Sequence, residues 1–259
     1  MFRKNLPRSL IVIITFLIAV YGNDLLKRFI HISFESDYLS VAWYYLWWIV
    51  PTVIVTGLLF EFGNFFKETG LNKGFITGLI LGAVAVLPMF LSSALAGSIP
   101  RDLTFWQVVR ATIFPGFMEE YLFRAFLFGL LFRHMGWGFI PAALLGAFIF
   151  GLEHVYQGTS PGQSAAIFLV TALGGAWYAW LFTEWGNNLW IPVFLHTFMN
   201  LSWVLFEVEV NALGGWYSNI FRVITIAIAT IFTIIHHKKK GMKITNKNLW
   251  VQRKSAKEI

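Results

Sequence analysis

The feature that most constrains this chain is a series of long apolar runs separated only by short polar segments. Hydrophobic residues make up 57% of the 259 residues and charged residues only 13%, whereas about a quarter of an ordinary soluble domain is charged. An apolar helix of about 20 residues crosses a bilayer. The runs lie at about residues 9–22, 40–60, 75–97, 113–132, 138–156, 164–183, 188–208 and 217–235. We therefore predict an all-α, polytopic membrane bundle of about eight transmembrane helices, with the whole chain, 1–259, as one integral-membrane domain.

The formal net charge of +7 comes mostly from residues outside the apolar runs. Eight spans would place both termini on the same side of the membrane. Lys and Arg are concentrated in the N-terminal residues, the loop at 61–74 and the basic tail at about 236–259, and such loops are typically cytoplasmic. We predict cytoplasmic termini and a solvated tail that faces lipid headgroups, with the bilayer as a partner and no nucleic acid.

Three charged residues interrupt the apolar run "FPGFMEEYLFRAFLFGLLF". They are Glu119, Glu120 and Arg124. Each charge in a transmembrane helix costs about 2.5–3.5 kcal/mol on insertion scales, and such residues usually mark functional sites. Glu120 and Arg124 are four residues apart and share a helix face, so we expect them to pair and to leave Glu119 facing something else.

Two further runs carry polar residues at the same spacing. "FIFGLEH" places Phe150 and His154 on one face, and "HTFMN" does the same for His196 and Asn200. The depths of these residues allow Glu119, His154, His196 and Asn200 to converge on one protein-lined cavity. The absence of Cys excludes cysteine nucleophiles and thiolate metal sites. Glu153 is predicted to be structural, and the polar segment 98–111 is predicted to form a short helix in the membrane interface.

The three polar stripes together match a known pattern. "EEYLFR" is EExxxR, "FGLEH" is FxxxH and "HTFMN" is HxxxN, in that order and in three separate predicted spans. Each motif is weak alone, but the ordered set resembles the CPBP family of intramembrane proteases, the CAAX-protease and bacteriocin-processing group also called Abi. The motif-bearing core covers about residues 115–205.

The resemblance implies hydrolysis of a peptide bond within the membrane. By matching position, Glu119 and His154 would activate a water, and His196 and Asn200 would stabilise the oxyanion. Glu120, Arg124 and Phe150 would support these four residues. General chemistry agrees with such roles, because a carboxylate can serve as a general base and donors in a dry pocket stabilise developing negative charge.

Metal dependence stays open at the level of sequence. Glu119, His154 and His196 supply a set of ligands that suits catalytic zinc, and the family is commonly labelled metalloprotease. No HExxH motif is present, and the family is also described as glutamate-dependent. We favour a metal-independent water and keep a divalent metal, Zn²⁺, as the alternative.

Two other function classes also stay open. A proton- or ion-coupled transporter could use the Glu and His residues as a relay, although the chain lacks the matched broken helices of inverted-repeat transporters. A non-catalytic immunity or scaffold protein could use the same fold. For a protease, the substrate would be a membrane-associated peptide or protein: a prenylated CAAX tail, a bacteriocin precursor or a signalling peptide. The compact chain suggests the plasma membrane of a prokaryote.

Overall fold

The computed structural model describes the backbone of residues 2–252, most of which is helical. The helices are α1 Phe2–Lys27, α2 Asp37–Phe60, α3 Phe65–Glu68, α4 Phe75–Ala96, α5 Phe105–Glu119, a π-helix Glu120–Gly129, α6 Leu130–His134, α7 Phe139–Leu152, α8 Pro161–Glu184, α9 Trp190–Val204 and α10 Trp216–Lys240. Short 3₁₀ turns lie at Phe62–Asn64 and Val155–Gln157. The predicted all-α class is confirmed.

The helices form a bundle with two ends. Asn5 donates to the carbonyl of His134, and Trp137 pairs with Val251, so both described chain ends lie at one end, here called the inner end. The loops 97–104, 153–160 and 205–215 lie at the outer end, where Ser98 bonds to Phe206 and Ala212 to Gln157.

Six segments among the described residues are long and apolar enough to cross a membrane: Asn5–Lys27, Asp37–Phe60, Phe75–Ala96, Phe139–Gln157, Pro161–Glu184 and Trp216–Lys240. Two more stretches run between the inner and outer ends. One is the continuous helix made of α5, the π-helix and α6, and the other is the 15-residue α9. The predicted count of about eight therefore holds, and the protein is an integral, multi-pass membrane protein. The two exceptional stretches carry the first and third motifs.

The fourth stretch begins earlier than the sequence predicted. We expected 98–111 to form a separate interfacial helix, but α5 begins at Phe105 and continues without a break through Glu119 into the π-helix. A capping box starts it: the Thr104 side chain accepts from the amide of Gln107, and the Gln107 side chain accepts from the amide of Thr104. The π-helix is buried along its whole length, and short π segments are frequent at functional sites.

The basic tail differs from the prediction of a solvated segment. Carbonyls of Asn248, Leu249 and Trp250 accept hydrogen bonds from the amides of Phe139, Ile140 and Gly138. These amides lie at the start of α7, where the helix itself offers no acceptors. Residues 241–252 therefore dock on the inner end, although most of their side chains remain exposed. The predicted tail residues 253–259 lie outside the described residues.

Glycines in α4 allow α9 to approach closely. A Cβ at Gly78 would lie 2.4 Å from the carbonyl oxygen of Trp190, and one at Gly82 would lie 2.9 Å from Cβ of Phe194. Small residues permit such backbone contact between membrane helices. This packing fixes α9, which carries His196 and Asn200, against α4.

Candidate active site

Glu120 is the centre of a buried network that joins two motifs. Its Oε2 lies 3.2 Å from Nε of Arg124, and both side chains are almost fully buried. Its Oε1 lies 2.8 Å from Nδ1 of His196. The predicted pairing along the helix is therefore present, and the structure adds a second partner from α9. An ionised carboxylate only accepts hydrogen bonds, so Nδ1 of His196 carries the proton in this contact.

The guanidinium of Arg124 lies among aromatic rings. It is 4.3 Å from the ring centroid of Phe150, 5.5 Å from Tyr178 and 5.7 Å from Phe123. Nη1 and Nη2 form no hydrogen bond with any described residue, so the ring faces are what stabilise this part of the cation. The contact between Phe150 and Arg124 thus links the FxxxH motif to the EExxxR motif.

Glu119 has a different environment from Glu120. Its side chain is 19% exposed, and Oε2 lies 3.9 Å from Nε2 of His196. No described residue hydrogen-bonds to this Oε2. A separation of 3.9 Å is too long for a direct hydrogen bond and suits a bridging water. Gly116 lets α5 lie close to α9 here, since a Cβ at this position would lie only 2.1 Å from Oγ1 of Thr197.

His154 lies just beyond the end of α7, towards the outer end. Its Nδ1 is 2.7 Å from the carbonyl oxygen of Phe150, and the two rings are in contact. A carbonyl only accepts, so Nδ1 carries the proton and Nε2 of the neutral ring keeps its lone pair. Within the described part of the chain, no hydrogen bond or ion pair joins His154 directly to Glu119.

Asn200 is held by a carbonyl that a proline leaves unpaired. Pro115 has no amide hydrogen, so the carbonyl of Ala111, four residues earlier, loses its helical partner. Nδ2 of Asn200 lies 3.4 Å from that carbonyl oxygen and donates to it. The contact connects α9 to α5 and leaves the second N–H of the amide for another acceptor.

Sequence reasoning missed two residues of α8 that contact this site. The Tyr178 ring stacks on His196, with centroids 5.7 Å apart and planes at 21°. Gly175 lies against Arg124, whereas a Cβ at Gly174 would meet no described atom within 4 Å. The signal in the sequence was a tyrosine three residues after a glycine within an apolar run.

Glu119, His154 and His196 are the three residues that could supply a zinc set. Among the described residues, no group of three or more His, Cys, Asp or Glu side chains is arranged to hold a metal ion. Nδ1 of His196 is engaged by Glu120 and Nδ1 of His154 by a carbonyl. Both contacts leave Nε2 of the ring available, and metal-binding histidines commonly donate from their other nitrogen in the same way.

Comparison with known proteins agrees with the motifs. Residues 101–202 match a family model described as Rce1-like, type II CAAX prenyl endopeptidase Rce1-like. This segment contains all three motifs and confirms the resemblance to the CPBP family. Neither the curated proteins nor the solved structures contain a match to the chain. At the level of the family, the match supports an intramembrane endopeptidase of the CAAX type.

Proposed function

With the CPBP resemblance confirmed over residues 101–202, we propose that the protein hydrolyses a peptide bond of a membrane-associated peptide or protein. The observation that carries the proposal is the half-buried Glu119, whose Oε2 lies 3.9 Å from Nε2 of His196. Glu120 accepts a hydrogen bond from Nδ1, the other ring nitrogen of His196. A carboxylate without a direct partner, next to a fixed imidazole, is suited to bind and deprotonate a water.

In the proposed reaction, Glu119 takes one proton from the water as its oxygen attacks the carbonyl carbon of the substrate. The lone pair on Nε2 of His154 accepts a hydrogen bond from the same water and helps to orient it. Glu119 then gives the proton to the leaving amine as the C–N bond breaks. The same carboxylate thus serves as base and then as acid.

His196 and Asn200 are proposed to stabilise the oxyanion. Because Nδ1–H of His196 faces Glu120, Nε2 can donate only from the doubly protonated ring. That form would bring the formal charge of Glu119, Glu120, Arg124 and His196 to zero. The free N–H of Asn200 is a second donor, and fixed donors in a site away from bulk water stabilise an oxyanion strongly.

The proposal is tested by cleavage of defined peptides with the purified protein in detergent. The probes are a fluorogenic peptide with a prenylated CAAX tail and an unmodified membrane-spanning peptide, and mass spectrometry identifies the products. Glu119→Gln should abolish cleavage of whichever probe is cut. Glu153→Gln is the matched control, because it removes a neighbouring carboxylate that lies next to His154 but outside the proposed chemistry.

Retained cleavage in Glu119→Gln would overturn the proposal. Cleavage of neither probe by the wild type, combined with pH-driven flux in proteoliposomes, would instead favour a transporter. The two probes also separate a CAAX-type substrate from other membrane peptides, such as a bacteriocin precursor or a signalling peptide.

We propose that the water is activated without a metal. The support is that, among the described residues, no group of three or more His, Cys, Asp or Glu side chains is arranged to hold a metal ion. Treatment with 1,10-phenanthroline followed by buffer exchange should leave the cleavage rate unchanged. A loss of activity that added Zn²⁺ restores would contradict this.

We further propose that the protein lies in the plasma membrane of a prokaryote with its inner end in the cytoplasm. The exposed Lys residues of the tail lie at this end, as the distribution of positive charge in membrane proteins favours. Topology reporters fused after residue 252 and inserted in the 97–104 loop should report opposite sides. A cytoplasmic signal from the 97–104 loop would show that the protein has the opposite orientation in the membrane.

A further inference from the structure

Helix α8 contains none of the three motifs, yet it contacts two residues of the buried network. Tyr178 is 7% exposed. Its ring stacks on the imidazole of His196, and the guanidinium of Arg124 lies 5.5 Å from its centroid. The hydroxyl donates to Sδ of Met199 at 3.4 Å. One aromatic ring therefore contacts the cationic residue of the first motif and the histidine of the third.

Gly175 lies one turn before Tyr178 on the same helix. A Cβ at this position would lie 3.2 Å from Nη2 of Arg124 and 3.4 Å from Cα of Ala147. Such distances are at the tight limit of real contacts, so a methyl group would push on the guanidinium or on α7. The missing side chain at Gly175 lets Arg124 lie against the Phe150 and Tyr178 rings.

We infer that Tyr178 and Gly175 are positioning residues that set the orientation of His196 and Arg124, and that α8 is therefore a fourth functional helix. The inference rests on the proposed function. The ring face of Tyr178 favours a cationic partner, so it stabilises Arg124, and its stacking on His196 restricts the orientation of the imidazole. Gly175 acts on the same network through the space that it leaves for Arg124.

The surroundings of His196 limit what else could act on it. Among the described residues, the titratable groups with an ion pair or ring contact to His196 are Glu119 and Glu120 from the helix that begins at Phe105, and Tyr178 from α8. Helix α4, which packs on the other side of α9, contains no titratable residue in Phe75–Ala96. A change at Tyr178 should therefore be detected at His196 itself.

The test compares Tyr178→Leu with Tyr178→Phe. Leucine removes the ring face, and a catalytic geometry that shifts by about 1 Å loses roughly 10²-fold in rate. We expect kcat to fall by about that factor with KM nearly unchanged, because the interaction acts on the reacting groups rather than on substrate binding. Phenylalanine keeps the ring and loses only the contact with Met199, so it should rescue most of the rate.

A second pair of variants tests Gly175. Gly175→Ala should lower kcat by about tenfold through displacement of Arg124, a smaller effect than the roughly 10²-fold of a direct shift. Gly174→Ala adds the same methyl group to the same helix where it meets no described atom within 4 Å, and it should behave like the wild type. Equal kcat in both alanine variants would remove Gly175 from the inference.

A spectroscopic readout separates positioning from mere stability and does not need a substrate. In protein labelled with ¹³C,¹⁵N-histidine, the resonance of His196 is assigned by its loss in His196→Gln. Tyr178→Leu should move this resonance, because the stacked ring is lost, while Tyr178→Phe should leave it close to the wild type. A Tyr178→Leu protein that melts lower but shows an unmoved His196 resonance and unchanged kcat per folded molecule would overturn the inference.

The two proposals can fail separately. If the wild type cleaves no probe but Tyr178→Leu still shifts His196, the proposed function fails while the positioning role stands. If cleavage depends on Glu119 and Tyr178→Leu alters neither kcat nor His196, the positioning role fails alone.

Discussion

Glu119 and Glu184 each lie beside a histidine, but their surroundings differ. Glu184, at the inner end of α8, is fully buried. Its two oxygens accept from the amides of Lys243 and Ile244 at 2.8 and 3.0 Å, and Nε2 of His237 lies 2.9 Å from Oε2. Glu119 is partly exposed, and its Oε2 has no hydrogen-bond partner among the described residues.

The difference shows how the same residue type serves two purposes. A buried carboxylate that accepts hydrogen bonds at both oxygens is held in place by them and stabilises the fold. Glu68 at the inner end is also held by protein partners, with Arg133 and His134 both at its Oε2. Glu119 keeps a free oxygen next to a fixed imidazole, an arrangement that costs stability and makes the group available to a water.

The largest expected effect comes from Glu119→Gln, which should separate activity from stability. Loss of a general base lowers the rate by about 10²–10⁴-fold. The melting temperature should stay the same or rise, because the substitution removes a partly buried charge without breaking a direct hydrogen bond at Oε2. Cleavage rates and thermal melts on the same preparation check this, and a clear drop in melting temperature would make Glu119 structural like Glu184.

Glu184→Gln should show the opposite behaviour. The amide group would face a backbone N–H and leave it without its acceptor, at a cost of about 1.5–3 kcal/mol in the free energy of unfolding. The melting temperature should fall, and trypsin should cut the tail at Lys243 and Lys247 faster. Cleavage activity per folded molecule should not change. Glu35→Gln, at an exposed position, is the control, and an unchanged rate of tail cleavage would contradict the docking role of Glu184.

A smaller effect is expected from Pro115→Ala. The new amide hydrogen can bond to the carbonyl of Ala111 and displace Asn200 from it. We expect kcat to fall by about tenfold if one oxyanion donor is loosened, less than the 10²–10³-fold of its complete loss. The melting temperature should not fall, because the helix gains a hydrogen bond. Pro88→Ala, in the middle of α4, gives the same backbone repair away from the motifs, and an equal loss of kcat there would count against the link to Asn200.

The smallest effect concerns pH and the partnered cluster at Glu68. Burial lowers the pKa of His134 below its usual 6.5, the charge of Arg133 acts in the same direction, and Glu68 opposes both. Below pH 6.5 the unfolded chain then binds more protons than the folded one. The stability from neutral His134 is present above pH 6.5 and is lost as the pH falls through the lowered pKa.

Thermal melts between pH 7.5 and 5.5 test the sign. The wild type should lose more stability over this range than His134→Gln, which has no titrating ring at the position. A wild type that gains stability relative to His134→Gln at low pH would mean that the Glu68 carboxylate dominates and that His134 is charged in the folded protein.

Hydrophobic runs and i,i+4 spacing were enough to predict much of this molecule. The span positions, the Glu120–Arg124 pair and the two chain ends at one side of the bundle followed from local composition. The link between His196 and Glu120 joins residues 76 positions apart, and no local pattern specifies it. The roles of Glu119, His154, His196 and Asn200 stay predictions.

Other features depend on the tertiary environment. The π-helix depends on how Glu120–Gly129 packs, and nothing in its composition separates it from an α-helix. The contact between Asn200 and Ala111 needs both the local effect of Pro115 and the approach of α9. The sequence of the tail predicts a basic, solvated segment. Its docking could not be predicted because its backbone, rather than its side chains, makes most of the contacts.

The docked tail also bears on the order of assembly during synthesis. The amides of Gly138, Phe139 and Ile140 find their acceptors in residues 248–250, which leave the ribosome about a hundred residues later, or roughly 5–20 seconds at ordinary elongation rates. Until then the start of α7 depends on water or lipid headgroups. The bundle is thus completed only when translation has passed residue 250, and a ribosome that stalls earlier would leave the helix that presents Phe150 and His154 with an unfinished end.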